Sequence, residues 1–148
     1  MLPQWMIAAW LAIASSAVSA AEAVDLRTLL ANEEFRRSWQ QLMQAEERLP
    51  EWIINLDGQS FPMQALEADG KRYLFGKLCE PERCSGERLF VLVDWDKDQA
   101  HALYVRLPEA MPADRAPSRY ATLRWLGEPD ALLQQVLQEQ LAQEADWY

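Results

Sequence analysis

The sequence predicts an α+β domain, with a central antiparallel meander sheet of about five strands flanked by helices on both sides. Three observations carry this. Phe35, Trp39, Leu42 and Met43 recur at helical spacing near the start. A set of strand-like runs joined by short turns fills the middle of the chain, and consecutive strands with short connections pair antiparallel. Leu132, Leu133, Val136, Leu137 and Leu141 then line one face of a helix near the end.

In chain order, Trp5-Met6-Ile7-Ala8-Ala9-Trp10-Leu11-Ala12-Ile13-Ala14 is a short uncharged apolar run, followed by small residues ending Val18-Ser19-Ala20-Ala21. Small side chains three and one places before a cut suit signal peptidase. A signal peptide is therefore expected over residues 1–20, and a single domain over 21–148. The run falls short of the roughly 20 apolar residues that span a membrane comfortably. No Lys or Arg precedes Arg27, which keeps an uncleaved tether as the competing reading.

Asn32 is a good N-cap, and Glu33 and Glu34 fall in the first turn, where the helix dipole favours acidic groups. The helix they open is expected to run until Pro50 ends it. Trp52, Ile53 and Ile54 then pack a short segment under the sheet. An Asp69-Gly70 turn separates Met63–Ala68 from Arg72–Leu78 as a hairpin. Glu87–Asp94, strongly apolar at its centre, reads as a central strand. Asp96-Lys97-Asp98 turns into a further strand at Ala102–Arg106. Three prolines between Pro108 and Pro117 mark a loop, and Arg119–Trp125 supplies a last strand. Gly127-Glu128-Pro129 opens the final helix, with proline placed at the first helical position.

The formal net charge is −9, all of it beyond the first 20 residues. This argues against nucleic acid or an anionic membrane surface and favours a cationic partner, although for acidity alone plain solubility is the better explanation. No membrane insertion is expected once the signal is cleaved. The one histidine, His101, has nothing suggestive beside it, and the few glycines mark turns. Asp94, Asp96 and Asp98 alternate like the start of a calcium loop, but Gln99 and Val105 stand where glycine and glutamate belong. No catalytic residue, metal site or cofactor is expected, and the chain reads as a binder.

Cys79 and Cys84 are the only cysteines. In an exported chain a close even pair reads as a disulfide. A redox pair would more typically be C-x-x-C, and zinc would need four ligands. The four residues between, Glu80-Pro81-Glu82-Arg83, would then sit in a small covalent ring. Closing it removes unfolded-state entropy worth roughly 2 kcal/mol. Such a ring is either a stapled strand connector or a presented binding element, and spacing does not choose between them. Nor does it say whether Glu82 or Arg83 faces outward.

Leu49-Pro50-Glu51-Trp52, Gly70-Lys71-Arg72-Tyr73, the cysteine loop with the Arg88–Val93 run behind it, and Arg124-Trp125-Leu126-Gly127 occur in an order that resembles the inhibitor of vertebrate lysozyme (Ivy) family. The resemblance runs from the first helix to about Trp125. It implies a periplasmic protein of Gram-negative bacteria, in some cases a homodimer, with a central antiparallel sheet and helices on both sides. It also implies a loop, Cys-Lys-Pro-His-Asp-Cys in the better-known members, that enters the active-site cleft of lysozyme. The loop histidine hydrogen-bonds the two catalytic carboxylates there. In this chain Cys79, Pro81 and Cys84 match, while Glu80 replaces the lysine, Glu82 the histidine and Arg83 the aspartate.

A retaining glycosidase works with one neutral carboxylic acid and one ionised carboxylate. Histidine can donate to such a pair; an ionised Glu82 cannot. At about 4 Å from a carboxylate it would meet about 4 kcal/mol of repulsion at an effective dielectric of 20. Either Glu82 accepts a hydrogen bond from the protonated acid, or Arg83 swings in as a planar cationic donor, and Arg83 is the residue expected to make the contact if the loop still plugs a cleft. The resemblance thus implies an inhibitory loop of Glu80, Pro81, Glu82 and Arg83, aimed at a c-type lysozyme or a bacterial lytic transglycosylase. The alternative is an interaction module on the same fold that has lost lysozyme inhibition with its histidine.

Overall fold

A computed structural model describes residues 24–112 and 114–148. The expected signal segment lies outside the described residues. The elements are α1 (Leu26–Leu29), α2 (Glu33–Ala45), α3 (Glu51–Ile54), β1 (Gln59–Ser60), β2 (Gln64–Ala68), β3 (Lys71–Cys79), β4 (Glu87–Asp94), β5 (Ala100–Arg106), β6 (Thr122–Leu126) and α4 (Ala131–Ala142). All pairing in the sheet is antiparallel, in the order β1-β3-β4-β5-β6, with β2 also on β3. From β2 to β6 the chain is the expected meander, with β4 at its centre.

Successive side chains of a strand point to opposite faces, and both faces of this sheet are covered. Leu89, Val91 and Val93 of β4, with Ala102 and Tyr104 of β5, pack beneath α1, α2 and α3 on Leu26, Phe35, Trp39 and Ile53. Phe90 and Leu92, with Leu103 and Val105, pack on Leu133, Val136, Leu137 and Leu141 of α4. The helical stripes read from the sequence are these two outer layers. Of α2's stripe, Phe35, Trp39 and Leu42 are buried and Met43 is partly so.

The hairpin between β2 and β3 turns at Asp69 and Gly70, both with positive φ (51° and 76°), as a two-residue primed turn requires. Asn32 caps α2 by accepting from the Phe35 N–H at 3.0 Å. Four boundaries differ from expectation by more than one residue. First, α2 ends at Ala45, before Pro50, because Glu46 turns into extended backbone. The Glu46 carboxylate accepts from Arg124 at 3.1 Å and from the Gly127 N–H at 3.2 Å, which draws this segment onto β6. Pro50 instead precedes the single turn α3, where Trp52 and Ile53 are buried and Ile54 is exposed. Second, α4 begins at Ala131, because the Asp130 side chain accepts from the Leu133 N–H and so places Pro129 outside the cap. Third, Pro117–Arg119 forms a 3-10 turn, so the last strand starts only at Thr122. Fourth, β5 begins two residues earlier than expected, at Ala100. Two short elements, α1 and β1, add to the expected set.

Candidate functional site

β3 and β4 are neighbours in register, with Cys79 opposite Arg88. Their connection is the cysteine loop. Cys79 and Cys84 form a disulfide, with Cα atoms 4.7 Å apart. The Glu80 N–H donates to the Glu87 carbonyl at 3.0 Å and extends the ladder one step into the ring. The chain then doubles back through turns in which the Arg83 N–H donates to Glu80, and the Gly86 and Glu87 N–H groups donate to the Arg83 carbonyl. The Leu107 N–H donates to the Gly86 carbonyl at 2.8 Å, tying the loop to the end of β5.

The direction of each ring side chain, open in the sequence, follows from this backbone. Pro81 and Glu82 are exposed at the tip, and Glu80 and Arg83 are half-buried. The Arg83 guanidinium lies back over Gly86, where a Cβ would sit only 2.6 Å from its Nη2, and donates to the Leu107 carbonyl at 3.4 Å. One carboxylate oxygen of Glu80 is sealed from solvent.

Each side of the ring's base is packed. On the α1–α3 side the Tyr104 hydroxyl donates to Glu87, and Trp52 meets the Tyr104 ring edge-on at 6.2 Å. Burial first, and then the hydrogen bond to Glu87, push the Tyr104 hydroxyl well above its ordinary pKa, so it remains a donor. On the α4 side Arg88, only 7% exposed, makes a bidentate pair with Asp146 at 2.9 and 3.2 Å and also donates to the Ser85 carbonyl. Lys77 reaches Glu144 at 3.0 Å and lies over the Phe61 ring. The final segment of the chain thus clamps the back of the loop. Of these supports, sequence reading finds the two strands but not Tyr104, Glu87, Gly86 or Asp146. Only pairing in space relates those residues to the ring.

The other titratable groups singled out in the sequence lie elsewhere. His101 sits on β5 toward Gly127, and burial lowers its pKa. Asp94 is raised by burial and then by Asp98. No group of three or more His, Cys, Asp or Glu side chains among the described residues could hold a metal ion.

The chain is a small α+β domain that carries a disulfide-closed loop at one end of a sheet packed on both faces. A family model described as inhibitor of vertebrate lysozyme (Ivy) matches residues 34–143, which include the loop. The chain belongs to this family. An uncharacterized protein of Pseudomonas aeruginosa is 47% identical over 114 residues, covering 77% of this chain and 74% of that protein. A second Pseudomonas aeruginosa protein, named inhibitor of vertebrate lysozyme, is 34% identical over 130 residues, covering 86% and 84%. An uncharacterized protein of Yersinia pestis is 30% identical over 119 residues, covering 80% and 77%.

Proposed function

We propose that this protein is an exported, periplasmic inhibitor of lysozyme-type peptidoglycan-cleaving enzymes, and that the Cys79–Cys84 ring is the plug that enters the active-site cleft. It acts by binding, without catalysis. The observation that carries this reading is the exposed Pro81-Glu82 tip, held on a covalently closed and doubly braced base. A loop fixed in advance has little ordering cost left to meet on binding. The acidic charge of −9 suits electrostatic steering onto a basic enzyme. Among the described residues no helix is long and apolar enough to cross a membrane.

A second reading is favoured by one specific feature: Glu82 occupies the tip where the better-known members have histidine, and a carboxylate cannot donate to catalytic carboxylates. On that reading the protein is a periplasmic interaction module of the same fold. The test is inhibition of peptidoglycan hydrolysis by the purified protein at low ionic strength, beside a reduced and alkylated control. Inhibition of a c-type lysozyme or a lytic transglycosylase that disappears on reduction supports the plug. Absence of inhibition of either enzyme by the intact protein supports the module.

A further inference from the structure

Of the three charged side chains inside the ring, two are turned toward the body of the protein. Arg83 is seated over Gly86 and bonded to the Leu107 carbonyl, and the absence of a side chain at Gly86 is what makes room for it. Glu80 has one oxygen sealed at the base. Of the other charges at this end of the sheet, Glu87 accepts from Tyr104 and Arg88 is paired with Asp146, while Arg106 is exposed at the end of β5, opposite Glu87 and outside the ring. Within the ring, Glu82 is therefore the charge that the tip presents.

Building on the plug function above, we infer that this tip fits a peptidoglycan-cleaving cleft whose single catalytic carboxyl is met in its protonated form, and that it discriminates against clefts holding a second, ionised carboxylate. An ionised carboxylate is an acceptor only, whereas a neutral carboxylic acid offers one O–H donor. An O–H···O⁻ bond between them is short and among the stronger hydrogen bonds available. A second carboxylate at about 4 Å would lower affinity by about three orders of magnitude at an effective dielectric of 20. The ring cannot lean away to relieve that repulsion, because its ends are joined and its base is tied to β5 and to the C-terminal segment.

The complex then holds a proton that the free enzyme releases above the pKa of its catalytic acid. Affinity falls about tenfold per pH unit above that value and levels off below it.

The experiment is calorimetric titration of the purified protein against two probes, a lytic transglycosylase with one catalytic carboxyl and a c-type lysozyme with a carboxylate pair. Titrations run from about pH 5.5 to 8 at constant low ionic strength, with Glu82→Gln and Glu82→His alongside and melting temperatures confirming that each variant folds. The expected result is binding to the transglycosylase with the pH slope just described, and at least about hundredfold weaker binding to the lysozyme. Glu82→Gln abolishes the slope, and Glu82→His gains lysozyme binding. A flat pH profile that Glu82→Gln leaves unchanged, or equal affinity for the two probes, overturns the inference while leaving the plug standing. Binding to neither probe removes the plug function itself, and the inference with it.

Discussion

Gly86 shows how a residue with no side chain decides what a loop displays. The atoms nearest an added Cβ are Nη2, Cζ and Nε of Arg83, at 2.6 to 2.9 Å, the far end of a flexible side chain. Gly86→Ala should therefore displace the guanidinium rather than the backbone. We expect unfolding free energy to fall by no more than about 1 kcal/mol, because the displaced guanidinium gives up its hydrogen bond to the Leu107 carbonyl. Affinity for a two-carboxylate lysozyme should rise, because a cationic donor is released beside Glu82. Unchanged affinity in a folded Gly86→Ala protein would mean that Arg83 does not reach the tip. Asp146 gives a second prediction at this scale. The hydrogen bond from Arg88 is the main cause that holds its carboxyl below the ordinary range. A depressed carboxylate contributes stability that is present above the unfolded pKa, near 3.8, and is lost as pH falls through the folded value. The Asp146 side chain is 57% exposed, so solvent screening limits the contribution to about 1 kcal/mol. Asp146→Ala should lower the melting temperature at pH 7 by a few degrees, and the difference from the parent protein should close below about pH 4. A difference that stays constant down to pH 2 would assign the loss to packing instead.

Elements differ in how far their own residues specify them. β4 is legible because an unbroken apolar run is what a strand covered on both faces requires, and the β2–β3 hairpin is legible because Asp69-Gly70 suits a turn with two positive φ angles. Gly70→Ala tests the second point cleanly: nothing lies within 4 Å of a Cβ there, so any cost is conformational. It should be about 1–2 kcal/mol, the penalty for left-handed backbone in an L-residue, with Gly70→Asn losing less. Urea unfolding would measure both, and equal stability of all three proteins would reject the turn assignment. Where an element's limit depends on a distant partner, the sequence is silent. The end of α2 is set by Arg124 and Gly127, some eighty residues away in the chain, acting on Glu46. α1 and β1, of four and two residues, are too short to show a period. The ring was legible as a pair of cysteines around charged residues. The direction of Glu82 and Arg83 was not, because it depends on Gly86 and Leu107 across the turn.

At the scale of the whole molecule, the ring stands at one end of a sheet whose two packed faces do not depend on it. Both apolar layers lie along β3, β4 and β5 and engage helices at the two ends of the chain, while the disulfide closes only a five-residue separation. The staple is worth roughly 2 kcal/mol in the chain-entropy model. An ordinary domain has about 5–15 kcal/mol of stability, so loss of the disulfide should not unfold the protein. We therefore expect the reduced and alkylated protein to keep its far-ultraviolet circular dichroism and to melt cooperatively, at a midpoint lower by about 8 °C. Binding should be lost out of proportion to this, because the opened loop must be ordered again on the partner. The two measurements separate the ring's roles. Loss of binding with the fold retained makes the ring a presented element carried by an independent scaffold. Loss of both together makes it a strut of the fold, and the binding surface would then have to be sought on another part of the molecule.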